Sequence, residues 1–424
     1  MRDQAHQGST AAGTSSIDRL AEPFTLPNGT VLRNRLVKAA LSEGLADADH
    51  EPGAGIRTLY QRWAHSGMGL TITGNVMVDR RAIGEPGNVV VEDERHLDSI
   101  REWARIAKSG GSAAWVQINH PGRQVVRNLS AHPVAPSAVA VPGTAGVFAT
   151  PHALTEPQIL DIIERFATTA RIVTQAGFDG VQVHGAHGYL VSQFLSPLSN
   201  RRTDDWGGTP EKRRHFLLEV VRAIGDAVGP DVPISVKLNS ADFQKGGFSN
   251  DESVAVVDAL QAEGIDLLEI SGGTYTSAAM LGVDPTLKES TRRREAYFIE
   301  YAERVREEVP ALPLLLTGGF RTVAGMADAL SGGAVDLIGL GRPMAVEPDV
   351  PGEILSGHVD GSHVRPRRSG IRLLDNLIEL VYYSVQMRRM AHGKEPAPDR
   401  HPAVSVAQYL WFYGFDSIRV KRRG

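Results

Sequence analysis

Cysteine is absent from the 424 residues. That excludes a disulfide scaffold, a Cys-ligated zinc site, a Cys-ligated iron–sulfur cluster and a thiol nucleophile. Long apolar runs are missing too. None reaches the ~18 residues that a membrane-spanning helix needs. Neither sign of charge is in excess: 45 Lys and Arg stand against 49 Asp and Glu, a net of −4. This balance argues against a general nucleic-acid binder. No charged region leads into an apolar stretch near the start, so no secretory signal is expected and a cytoplasmic location is. Glycine, by contrast, is plentiful, at 44 of 424 residues where ~7 % is usual. A chain of this length hides roughly 75 % of its unfolded surface, so a large core needs no staples. The default expectation from these features is a glycine-rich α/β protein, with an enzyme as the first class to test.

Residues 1–18 are small and polar and read as a disordered tail. Asn28-Gly29, between short apolar stretches, signals a hairpin over Phe24–Leu32. A rhythm of apolar runs then begins: Arg35–Leu41, Leu70–Gly74, Ala113–Asn119, Asp179–His184, Val232–Leu238, Ile265–Ser271, Pro313–Thr317 and Val335–Leu340. Their continuous Val/Ile/Leu character suits strands buried on both faces. Helical patterns separate them, among them Glu156–Ala176, Pro210–Val228 and Arg293–Glu308. Eight such units over residues 35–355 match a (β/α)8 TIM barrel. The doubly wound alternative wants a glycine fingerprint after the first strand. Ser42-Glu43-Gly44-Leu45 does not supply one. The expected organisation is a barrel over 19–357 and a C-terminal extension over 358–424, packing on the barrel or a neighbouring subunit. The extension carries an amphipathic helical stretch at Leu373–Met390 and an aromatic, basic end at Tyr409–Arg423. The longest loop, Pro121–Leu154, follows the third strand and reads as a substrate loop.

Functional side chains of a parallel barrel stand at the C-terminal strand ends. After the seventh strand comes Thr317-Gly318-Gly319-Phe320, and after the eighth Gly339-Leu340-Gly341-Arg342-Pro343. Glycine turns running into helices offer backbone N–H groups to an anion, and Arg342 adds a fixed fork. The same glycines also suit plain tight turns. After the fourth strand, His184, His187 and Tyr189 stand at i, i+3 and i+5. The two imidazoles can hold a carbonyl or phenolate oxygen, ligate a metal, or be satisfied core residues. Zinc wants a third protein ligand, and this segment lacks a carboxylate. Gln117 offers a donor and an acceptor to a heteroaromatic edge. Lys237, inside Ile234–Leu238, needs an anionic partner if buried; a Schiff-base lysine is the competing reading. Ser42 can hydrogen-bond a ligand.

These segments together resemble the Old Yellow Enzyme family of FMN-dependent NAD(P)H:flavin oxidoreductases. The resemblance runs from about Phe24 to Pro348. Its most specific stretch is Gly177–Leu190, GFDGVQVHGAHGYL, continued by Phe194–Gly208, FLSPLSNRRTDDWGG. Gln117–Arg123, Ser271-Gly272-Gly273 and Gly341-Arg342-Pro343 follow in the family's order. The resemblance implies FMN at the barrel mouth, with its phosphate against Gly318, Gly319, Gly341 and Arg342. Gln117 would meet the pyrimidine edge, and Lys237 the N1/C2 oxygen side. Ala39, Ala40 and Ser42 would line the ring, and Gly74 would let the second strand approach it. His184 and His187 would hold the oxygen of an enone, and Tyr189 would donate the proton, with NAD(P)H as reductant. The implied partner is a small-molecule substrate, with neither nucleic acid nor membrane, and a homo-oligomer is compatible. Ala40-Leu41 stands where the family shows Pro-Met, Ser42 where it shows Thr or Cys, and Lys237 where Arg is frequent. A Schiff-base lyase using Lys237 and a flavin-binding barrel without turnover are the competing functions.

Overall fold

The computed structural model describes residues 15–142, 146–271, 287–364, 372–401, 403–409 and 411–412. Residues 1–14, Gly272-Gly273 and most of Tyr409–Arg423 lie outside the described residues. Within the tail assigned to residues 1–18, Ser15 caps helix α1 (Ser16–Ala21) through a reciprocal capping box with Asp18. Order therefore begins before residue 19.

The eight apolar runs form one closed parallel barrel. With the hairpin β1 (Phe24–Thr25) and β2 (Val31–Leu32) ahead of it, the barrel opens with β3 (Leu36–Lys38), β4 (Leu70–Met77) and β5 (Ala113–Asn119). Two short strands of the long loop follow, β6 (Val134–Ala135) and β7 (His152–Ala153). The barrel is completed by β8 (Gly180–Gly185), β9 (Ile234–Asn239), β10 (Leu267–Ser271), β11 (Leu314–Thr317) and β12 (Leu337–Leu340). β12 pairs with β3 and closes the ring. β4 runs three residues beyond the expected Gly74, and its register against β5 shifts between Ile72 and Asn75. A glycine in a strand interior commonly marks such a bulge.

Alternation sorts the barrel's inner residues into layers. The lowest is apolar: Val37, Leu70, Ile72, Trp115, Leu267, Leu315 and Leu337 pack as one cluster. Leu26 and Leu32 of the hairpin join it and plug the N-terminal end. Two residues further along several strands, the inner positions turn polar: Gln117, Lys237 and Glu269. The outer core is the larger one and lies between strands and helices. Helix α2 (Ala54–Ala64) is fixed there by Trp63, whose Nε1 donates to the Met344 carbonyl at 2.7 Å. The C-terminal helix over Arg372–Ala391 sends Tyr382, Met387 and Met390 into the same core. Among the described residues no helix is long and apolar enough to cross a membrane.

Candidate active site

The C-terminal strand ends surround a cavity of about 270 Å³. Its wall contains Ala39 and Ala40 after β3, His187 after β8 and Lys237 within β9. Gly318 and Gly319 after β11 and Gly341 and Arg342 after β12 complete one side. Thr317 and Phe320, the ends of the quoted glycine corner, line it as well, and so do Phe298 and Tyr383, which the sequence reading had not singled out.

The β11–β12 corner fits a phosphate. Gly318 and Gly319 take positive φ angles of 139° and 84°, which side chains rarely adopt. The Thr317 hydroxyl in the same wall is buried without a hydrogen-bond partner, and a ligand oxygen would satisfy it. Arg342 adds the cation, its guanidinium 5.7 Å from the Tyr383 ring centroid. A bare backbone corner, an orphaned hydroxyl and a guanidinium are a donor set suited to a phosphate.

Across the mouth, the chain leaves β8 in a tight turn that gathers His184, His187 and Tyr189. The His184 ring meets the His187 ring edge to face at 5.1 Å and the Tyr189 ring at 4.9 Å. His184 Nδ1 accepts the Ala186 N–H at 3.3 Å, which assigns the ring proton to Nε2. His187 has φ 61°, a left-handed conformation. Two partners hold it: its N–H donates to Asn239 Oδ1 at 3.2 Å, and its Nε2 lies 2.8 Å from Ser271 Oγ. Burial drives both imidazoles far below their usual pKa, with Lys237 adding to the effect, and His187 falls to about 3. Both rings are therefore neutral N–H donors near pH 7. Among the described residues no three of His, Asp and Glu gather as a metal site would require.

Lys237 has the anionic partner its burial demands. Its Nζ lies 2.8 Å from Glu269 Oε1, and both side chains are almost fully enclosed, at 5 % and 0 % exposure. Gln117 is buried, is not among the residues lining the cavity, and donates to Gln182 Oε1 at 2.8 Å. Glu269 and Gln182 had escaped the sequence reading. A polar residue inside an apolar run had pointed to Lys237, and the same signal was present at both positions.

Ser42 and Gly74 stand apart from the main cavity. Ser42 Oγ donates to Asn75 Oδ1 at 3.0 Å and lines a smaller pocket with Glu43, Glu85, Ser384 and Arg388. The space above Gly74 holds the Glu43 carboxylate and the Leu41 carbonyl. In this structure the missing side chain at Gly74 makes room for Glu43. Behind this wall, Lys38 lies 4.4 Å from the Trp63 ring centroid and donates to the Ile72 carbonyl at 2.8 Å. Burial lowers its pKa to about 8.

Residues 19–360 match the NADH:flavin oxidoreductase / NADH oxidase family. The chain is 37 % identical over 356 residues to the NADH-dependent flavin oxidoreductase iliE of Hypocrea jecorina, covering 79 % of this chain and 88 % of that protein. It is 34 % identical over 400 residues to the NADH-dependent flavin oxidoreductase nadA of Aspergillus parasiticus, covering 89 % and 87 %. Among solved structures, morphinone reductase superposes with a TM-score of 0.67 at 25 % identity, over 82 % of this chain and 92 % of that one. The barrel and these likenesses agree: the chain belongs to the NADH:flavin oxidoreductase / NADH oxidase family, the Old Yellow Enzyme family, and is an oxidoreductase that uses FMN and NAD(P)H.

Proposed function

We propose that this protein reduces the activated carbon–carbon double bond of an α,β-unsaturated carbonyl compound. The convergence of two neutral imidazoles and a phenol at one side of the barrel mouth carries this reading. FMN would lie along the main cavity, its phosphate at Gly318, Gly319, Gly341 and Arg342 and its ring beside Ala39, Ala40 and Lys237, with Gln117 beneath. Once reduced by NAD(P)H, it supplies the hydride for the β-carbon, chemistry that no side chain here provides.

The chain's own residues do the rest. His184 and His187 donate N–H groups to the carbonyl oxygen and stabilise the negative charge that grows there, as an oxyanion hole does. Because both rings are already neutral donors, no proton has to be rearranged before the substrate is polarised. The Tyr189 hydroxyl gives its proton to the α-carbon, completing the addition of one hydride and one proton. Asn239 and Ser271 hold His187 in place. The resemblance to morphinone reductase supports a reductase acting on a small organic substrate. The Lys237–Glu269 ion pair argues against an amine nucleophile at that position, and so against a Schiff-base lyase.

Anaerobic turnover of 2-cyclohexenone with NADH or NADPH tests the reading. Tyr189→Phe should leave reduction of the flavin by the nicotinamide nearly intact and slow enone reduction by at least about tenfold, within the range of a general acid. Unchanged enone turnover in that variant would remove Tyr189 from the mechanism. A wild-type protein that takes up FMN but reduces no enone would sink the reading.

A further inference from the structure

We propose that Glu269 is a positioning residue that partly cancels the Lys237 charge and thereby holds down the reduction potential of the bound flavin. The proposal rests on the flavin assignment above.

The geometry runs through the lumen of the barrel. Lys237 Nζ meets Glu269 Oε1 at 2.8 Å. Glu269 Oε2 accepts from Gln182 Nε2 at 2.9 Å, and that amide nitrogen also lies 3.2 Å from Ser235 Oγ. Gln182 Oε1 then accepts from Gln117 Nε2 at 2.8 Å. β8 and β10 are not neighbours in the sheet, since β9 lies between them. The Gln182–Glu269 bond therefore crosses the interior, and one connected chain joins Lys237 to Gln117, the two residues assigned to the polar edge of the flavin.

This chain has two consequences. The first is directional. A carboxylate only accepts, so Gln182 must present its amide nitrogen to Glu269 and its oxygen to Gln117. Gln117 is then bound through its nitrogen, leaving Oε1 as its acceptor, which suits the imide N–H of a flavin pyrimidine. One buried carboxylate thus fixes the orientation of two amides.

The second is electrostatic. A bare Lys237 would strongly favour the negative charge that reduction adds beside it. Paired with Glu269, it forms a formally neutral unit whose net pull is much smaller. Both charges are felt at Lys38 on the neighbouring wall, with opposite sign. His184 and His187, which also face Lys237, stay neutral, and Lys38, the further cation that senses the pair, is the same in every variant compared below.

The test uses the full chain loaded with FMN and reads the two-electron midpoint potential by spectroelectrochemistry, together with the FMN dissociation constant. Glu269→Gln should shift the potential positively, by at least a tenfold gain in preference for reduced over oxidised cofactor, which is about 30 mV for a two-electron couple. Lys237→Met should shift it negatively. The double variant should lie nearer to wild type than either single variant. Glu269→Asp, which keeps the charge, should stay near wild type and serves as the control should Glu269→Gln fold poorly. A merely structural role would weaken FMN binding and leave the potential unmoved. An unchanged or more negative potential in FMN-loaded Glu269→Gln overturns the inference alone. A wild-type chain that takes up no FMN overturns the flavin assignment and the inference with it.

Discussion

The Glu43 carboxylate lies across Gly74. Its Oε1 accepts the Gly74 N–H at 2.9 Å, while the Tyr60 hydroxyl donates to the same oxygen at 2.5 Å. A Cβ at position 74 would overlap both this carboxylate and the Leu41 carbonyl. The carboxylate can rotate away, but the backbone carbonyl cannot without moving the strand end. Gly74→Ala is therefore expected to lose about 1–3 kcal/mol, the usual cost of overpacking a filled site. Urea denaturation measures it, and a variant as stable as wild type would show that the β3 end yields freely.

Much of this architecture was legible in the sequence, for a physical reason. Strands buried on both faces must be apolar throughout, so Leu267–Ser271 and its seven counterparts stand out from their amphipathic neighbours. The glycine corner at Gly318-Gly319 was legible because few other residues permit that backbone. The lysine of Ile234–Leu238 was visible as a charge in an apolar run, and Glu269 carried the same signal, but that the two pair was not. Glu269 lies in the neighbouring strand, directly opposite Lys237, and the register that sets the two side by side is recorded in no local pattern. Glu43 was hidden for the same reason, because its partners Tyr60 and Gly74 come from the next helix and strand. Tyr383 reaches the cavity from the far end of the chain, and no spacing rule reaches that distance.

Glu85 gives a prediction for pH. Burial raises its pKa to about 7, and the neighbouring Glu43 charge pushes the same way. The folded state therefore holds this proton more tightly than the unfolded state, whose value is near 4.5. The stability that follows is complete below that pH and is lost as pH rises through about 7. Glu85→Gln keeps the shape and removes the titration. Its Tm should exceed that of wild type at pH 8, and the gap should close by pH 4. Parallel Tm profiles would show that Glu85 does not titrate in this window.

The buried imidazoles act in the opposite sense. His184, His187 and His120 are all pushed down by burial, the last two to about 3 and about 4. The unfolded chain binds these protons first, so their contribution is complete above about 6.5 and is lost as pH falls towards 3. The active-site pair should therefore stay neutral throughout assays between pH 5 and 8. kcat/KM for enone reduction is expected to show no limb near 6.5 over that range. A limb there that disappears in His187→Asn would mean that the pair titrates as an ordinary histidine does.

His187 itself combines a chemical and a backbone demand. Its φ of 61° lies in the left-handed region, which costs an ordinary L-residue roughly 1–2 kcal/mol and a β-branched one more. Asparagine tolerates that region and keeps an N–H donor, whereas valine does neither. His187→Asn should accordingly fold with nearly wild-type stability and retain part of the enone activity. His187→Val should lose about 1–2 kcal/mol more than His187→Asn and bind phenolic ligands weakly. Asn239→Ala removes the acceptor of the His187 N–H, so it should loosen the turn and weaken phenol binding without touching the imidazole. Urea denaturation and a spectroscopic titration of the FMN-loaded protein with a phenol measure the two effects separately. Equal stability of the Asn and Val variants would show that the turn relaxes out of the left-handed region once the histidine is gone. The position would then be set by the ring and its Ser271 contact, with the backbone following.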